Sequence, residues 1–465
     1  MSQRPNAARA MEHPEPTALG SAMRVLVECG DYRCGNMGDV AMLQVTVARL
    51  GELWPGAAIR VMTWDPERLA RYCPGVEPVP GRGRDTWLAD RTLLGRLHGV
   101  LPKAASRALV RSRHAVRRRW PGAIDLALRV RGALPVDVAQ DMEAFRSAVD
   151  TADLVIVAGA GGITDHAHRW AMPVLEVLEM AVRRGTPAAM MSHGLGPLAT
   201  DDQLRQRARE VLPRLDLIAL REQLLGKPLL ADAGVDPQRV RITGDDAIEP
   251  AYRARHSALG ESVGVNVRLS SSSALDASIC DALRPVLHVF AKERGAAPVP
   301  LPIDASDVDS IRTLLSGFPG EVNDHGAIDT PAALIERVSR CRIVVTCAYH
   351  AAVFAASQGI PVVCLAKSSY FLGKFRGLAD QFGEGCSVVA LDEDGAIARL
   401  RREIDRAWDC AAAMRPSLLD AATRQIAAGR RAYQDVAQLA ASRAAARGGV
   451  LRRAGATPAA SAGRS

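Results

Sequence analysis

Metal-ligand spacing is missing from this sequence: its nine cysteines, Cys29, Cys34, Cys73, Cys280, Cys341, Cys347, Cys364, Cys386 and Cys410, include no Cys-x-x-Cys pair. An odd number cannot pair completely within one chain, so these thiols are expected to be reduced and mostly buried, and no structural metal is expected. Aromatic residues make up only 4% of the chain. Stacking aromatics are not interleaved with its arginines as single-strand binding requires, and no nucleic-acid motif is recognisable, so nucleic acid is not an expected partner. The first twenty residues lack the apolar run of a signal peptide, and no later stretch approaches the roughly 20 apolar residues of a membrane helix. The expectation is therefore a cytoplasmic protein.

At 465 residues, with 48% hydrophobic and 24% charged residues, the chain reads as globular and exceeds the size at which one core stops growing. Two domains are expected, at 23–255 and 256–445, between a disordered segment at 1–22 and a disordered tail at 446–465. The net charge of +8 is concentrated between Arg82 and Arg131, where Arg107, Arg111, Arg113, Arg117, Arg118 and Arg119 face hardly any acid. The reading is a helical insertion at about 82–145, either a solvated surface or a contact with the inner face of a membrane or a polyanionic acceptor.

The rest alternates strand and helix. RVLVECG is a buried first strand. The glycines at 30, 35 and 38 punctuate a turn, and Val40, Leu43, Val47 and Leu50 recur at helical spacing from a start near Asp39. AIRVMTW, LVIVAGAGGITD, PAAMMSHGLGPL, DLIALREQL and RVRITGDDAI continue the pattern, with a helix expected to start at Arg221. SVGVNVRLS opens a second half, in which RIVVT and PVVCLA are apolar enough to need a parallel sheet covered on both faces. The fold class is α/β, with two Rossmann-like domains facing a cleft in a GT-B-like arrangement, and the glycine turns point into that cleft.

GNMGDVAML, AGAGGITD, GLGPL and YHAAVFAASQGIPVV, the last followed by a lysine-containing loop, occur in the order seen in the polysaccharide pyruvyl transferase family, which this chain resembles from Met23 to about Leu378. The resemblance implies transfer of a pyruvyl group from phosphoenolpyruvate to saccharide hydroxyls as a ketal, with no further cofactor, and a nucleotide-linked or lipid-linked saccharide as partner. It places His350 as the general acid. Ala348 departs from the family, whose members often carry arginine two residues before this histidine, so another cation must bind the donor. Arg221, Arg268, Lys367 and Lys374 are the candidates. Gly35, Asn36, Gly38 and Asp39 are expected to hold an anion or a sugar at a helix N-terminus, or Asp39 merely to cap it. Gly161 and Gly162 invite the same two readings. Asp245 is a candidate base and His193 a second acid/base candidate. A nucleotide-sugar glycosyltransferase and a non-catalytic saccharide-binding protein remain alternatives.

Overall fold

The computed structural model describes residues 22–88, 135–270, 272–318 and 329–454. The polar segment at 1–21, the run Arg107–Arg119 and residues 455–465 lie outside them. Twelve strands occur among the described residues, all paired in parallel. Seven form one sheet: β1 (Arg24–Glu28), β2 (Ala58–Thr63), β3 (Glu77–Pro80), β4 (Leu154–Val157), β5 (Ala188–His193), β6 (Leu217–Leu220) and β7 (Val240–Ile242). Five form the other: β8 (Ser262–Asn266), β9 (Pro298–Pro300), β10 (Cys341–Thr346), β11 (Val362–Ala366) and β12 (Cys386–Ala390). Strands such as Leu154–Val157 and Val362–Ala366 are buried at every position because helices cover both faces of each sheet.

The strand orders are β3-β2-β1-β4-β5-β6-β7 and β12-β11-β10-β8-β9. Each order reverses direction once, between β1 and β4 in the first sheet and between β8 and β10 in the second. At such a point the connections leave to opposite faces and open a crevice beyond the carboxyl ends of the strands, where ligands of open α/β sheets bind.

Two expectations need correction. The flanks of the basic insertion are not a solvated surface: the helices Gly81–Leu88 and Val136–Asp150 pack so closely that a methyl on Gly83 would lie 2.0 Å from the Asp141 carbonyl oxygen. Trp87, Met142 and Phe145 are buried there, and buried Arg84 pairs with Glu28 at 3.0 Å. The C-terminal helix runs from Ala411 to Ala454, into the stretch expected to be a tail, and it does not belong to the second half alone. It returns to the first sheet, where Tyr433 donates a hydrogen bond to Asp246 (2.8 Å) and shares another with Thr46 (2.9 Å), and Arg241 pairs with Asp435 at 2.9 Å. Tyr433→Phe leaves buried Asp246 and Thr46 each short of a partner. Urea unfolding should show a loss of about 1–3 kcal/mol.

Candidate functional site

A cavity of about 270 Å³ lies where the two switch points face each other. The β1 and β4 connections supply Gly30, Asn36, Asp39, Gly161 and Gly162. The second unit supplies Arg268 after β8, Tyr349 and His350 after β10, and Tyr370, Phe371 and Lys374 from the helix Ser369–Phe382. Arg221, just after β6, completes the cationic wall. Tyr370 ties the units together by donating to the Gly161 carbonyl oxygen at 3.0 Å.

The turn after β1 does not act as an anion cradle. The helix Met37–Leu53 begins two residues before Asp39, and its cap is Asn36, whose Oδ1 accepts from the N–H groups of Gly38 (3.0 Å) and Asp39 (3.3 Å). Asp31 takes the N–H groups of Gly35 and Asn36, and Met37 donates to the Ile303 carbonyl oxygen at 2.9 Å. Every early N–H of this helix is thus engaged. The loop after β4 is different: the N–H groups of Gly161 and Gly162 make no hydrogen bond among the described residues. The helix His168–Arg183 follows with no side-chain cap. Free backbone donors in a glycine turn favour an anion, and so does an uncapped helix start.

Arg221 is not a helix start but a buried side chain in a bend, 3% exposed, with Nη1 3.5 Å from Asp245 and its guanidinium 4.1 Å from the centre of the Tyr349 ring. Its Nε and Nη2 are buried without a partner, which an intact structure tolerates rarely outside a site. Half-buried Lys374 lies 4.1 Å over the Tyr370 ring. A methyl on Gly161 would fall 2.5 Å from Arg221 Nη2 and 2.9 Å from Lys374 Nζ, so both cations converge on the loop with the free N–H groups. Burial, and then the charge of Arg221, pushes the Lys374 ammonium well below its ordinary range against the pull of Asp39. Arg268 is held from behind by a bidentate pair with Asp307 (2.8 Å and 2.8 Å), leaving Nη1 outside that pair. Lys367 is exposed and outside the cavity.

His350 is the second residue of the helix Tyr349–Ser357, with Nε2 3.7 Å from Asp245 Oδ2. Asp245, 4% exposed, touches His350 and Arg221 but does not line the cavity. Burial works to raise its carboxyl, yet His350 and Arg221 hold it below its ordinary value. It lies against these two groups, behind the cavity wall. Asp39 is the carboxylate that faces the cavity, raised by burial and drawn back by His350, Arg221 and Lys374. His193 lies behind the wall, stacked on Trp170 at 5.6 Å; burial, then Arg221, drops it to about 3, so it is neutral. Ala348, the helix cap, is fully buried, and the cavity's cations come from Arg221, Arg268 and Lys374 instead. Sequence reasoning missed Tyr349, Tyr370, Phe371 and Trp170.

Two Rossmann-like units around such a cavity define the GT-B fold. The architecture is similar to a putative UDP-N-acetylglucosamine 2-epimerase from Listeria monocytogenes, at 11% identity and a TM-score of 0.51, covering 88% of this chain and 95% of that one. It is also similar to UGT89C1 from Arabidopsis thaliana, a structure complexed with quercetin, at 12% identity and a TM-score of 0.50, covering 91% and 100%. At these identities the likeness is one of fold.

Residues 36–369 match the family model of polysaccharide pyruvyl transferase. The chain belongs to the polysaccharide pyruvyl transferase family, a family of transferases, as the motifs from GNMGDVAML to YHAAVFAASQGIPVV led one to expect.

Proposed function

We propose that this chain transfers the pyruvyl group of phosphoenolpyruvate to two hydroxyls of one saccharide, forming a ketal and releasing phosphate. The observation that carries this reading is the convergence of Arg221, Lys374 and Arg268 with His350 on a single cavity. A small trianionic donor needs that much positive charge, and the absence of arginine at position 348 is offset by Lys374 and Arg221.

The donor's phosphate goes to Arg221, Lys374 and the free N–H groups of Gly161 and Gly162, and its carboxylate to Arg268. His350 delivers a proton to C3. The C2–C3 π pair forms the new C–H bond, and C2 gains oxocarbenium character. An acceptor hydroxyl adds to C2 and gives up its proton to Asp39, the carboxylate that lines the cavity. The C–O bond to phosphate then breaks, its electron pair leaving with the phosphate, and the second hydroxyl closes the ketal as its proton departs. The methyl proton came from His350, which is recharged from Asp39 through solvent, and the second hydroxyl's proton leaves with the phosphate, so the atoms balance. Asp245 orients His350 and Arg221.

Calorimetric titration with phosphoenolpyruvate and with a panel of UDP-sugars tests this. Saturable binding of phosphoenolpyruvate is expected, weakened about tenfold in Arg268→Ala through loss of a charge-assisted contact. Binding of a UDP-sugar alone would overturn the donor assignment and favour glycosyl transfer.

A further inference from the structure

A second cavity, of about 440 Å³, opens on the other side of the same turn: Asn36 lines the reaction cavity, while its neighbours Gly35 and Met37 line this one. Both units form it, with Asp31, Arg33 and Arg68 from the first and Asp304 from the second. Its volume falls in the range of about 300–1,000 Å³ usual for small-molecule sites. The donor steps make no use of it.

Its charges are arranged as spaced donors and acceptors. Asp31 is already committed to the N–H groups of Arg33, Gly35 and Asn36. Arg68 and Asp304 both approach Gly35, where a methyl would lie 3.7 Å from Arg68 Nη1 and 3.9 Å from Asp304 Oδ2. Arg68 makes its ion pair with Asp65, at 3.5 Å, rather than with Asp304. Asp304 Oδ1 accepts from the N–H and hydroxyl of Ser306, and Oδ2 remains toward the cavity. A donor and an acceptor held apart suit a group that can both give and accept a hydrogen bond. A hydroxyl does so; a phosphate would meet the carboxylates of Asp31 and Asp304.

Arg33, from the wall of this cavity, lays its guanidinium 5.2 Å over one face of the Trp64 ring, and Trp64, 47% exposed, lines a separate cavity with Thr63, Pro80 and Gly81. The indole is wedged against Gly81, where a methyl would lie 2.1 Å from Trp64 Cδ1, so its orientation is set by the protein. A rigid, exposed indole offers a flat apolar surface beside polar partners. The C–H face of a pyranose ring matches that surface, while Arg68 and Asp304 suit the hydroxyls of a neighbouring unit of the same saccharide.

We infer that this second cavity, with Trp64 beyond Arg33, forms an acceptor subsite that binds uncharged pyranose units next to the one receiving the pyruvyl group. The inference rests on the pyruvyl-transfer reading for the role of the sugar as acceptor. Its position fits that role, because Gly35 and Met37, which line it, flank Asn36, which lines the reaction cavity with Asp39.

The test uses the full chain with methyl glycosides of hexoses and N-acetylhexosamines and their β-linked disaccharides, followed by saturation-transfer NMR and calorimetry. Disaccharides should bind more tightly than monosaccharides, and Trp64→Ala and Arg68→Ala should each weaken binding about tenfold. Phosphoenolpyruvate affinity, measured alongside, should stay within about twofold of wild type, showing that fold and donor site are intact. Unchanged saccharide affinity in both variants overturns the inference, and so does a wild-type protein that binds none of the panel. Trp64-dependent saccharide binding in a protein that fails to bind phosphoenolpyruvate would support the subsite and refute the donor reading instead.

Discussion

Gly38→Ala is expected to lower kcat by about 100-fold, because misplacing a reacting group by roughly 1 Å costs that much. The new methyl would fall 1.9 Å from both Cγ and Nδ1 of His350 and 2.5 Å from its Cβ, far inside contact distance. Either the imidazole swings away, or the helix Met37–Leu53 retreats and gives up the bond from Met37 to the Ile303 carbonyl oxygen. Both outcomes move His350 relative to the cavity. Overpacking of this kind costs about 1–3 kcal/mol, and the better helix propensity of alanine returns up to about 1 kcal/mol, so the folded state should survive. Phosphate release from phosphoenolpyruvate, followed with acceptor present, reads the effect. The informative comparison is the cycle with His350→Ala: if Gly38 acts through His350, the double variant is no slower than His350→Ala alone. Full additivity would show that Gly38 matters for some other reason.

The sequence made the strands legible because a parallel sheet covered on both faces leaves no polar alternation to confuse with anything else, and Leu154–Val157 and Val362–Ala366 stood out accordingly. Their order across each sheet is a tertiary property, so the two switch points that locate the cavity could not be read from it. Local capping explains two misplaced helix starts. Asn36 and Asp39 are both competent caps, and Asn36 takes the role. After Arg221, the Glu222 carboxylate accepts from Leu225 and Gly226, which delays the helix to Gly226 and leaves the arginine in the bend that turns it toward the cavity.

The missed aromatics sit in apolar runs and so resemble core. A signal was present for one of them, since Tyr370 and Lys374 are four residues apart on one helix face, the spacing at which a ring and a cation meet. The pair Arg268–Asp307 left no such mark, because its partners are brought together only by the second sheet. Asp245 shows the limit from the other side: a carboxylate after a strand invites the reading of a base, and only burial reveals that it supports His350 and Arg221 from beneath.

Lys374→Met should stabilise the protein near neutral pH while lowering phosphoenolpyruvate affinity by about 100-fold, the scale expected for removing one partner of a buried charge pair. Burial and Arg221 lower the folded-state pKa of Lys374 well below 10.5. Between that folded value and 10.5 the unfolded chain holds more protons at this site, so the wild-type protein gains stability as pH rises through the window. Below the folded pKa both states are protonated and the cost of burying the ammonium is fully present. Methionine has a similar shape and no proton to lose, so the gap between variant and wild type should be widest at lower pH and close toward 10.5. The ring contacts with Tyr370, Tyr349 and Phe371 oppose this and reduce the gain. A donor phosphate reverses the balance by supplying the negative charge the site lacks. Binding at a pH between the folded value and 10.5 should therefore take up a proton, seen as a calorimetric heat that varies with the ionisation enthalpy of the buffer, and this dependence should vanish in Lys374→Met. A variant less stable than wild type at pH 7, or equal in donor affinity, would remove Lys374 from the anion site and leave Arg221 to hold the phosphate with the glycine loop.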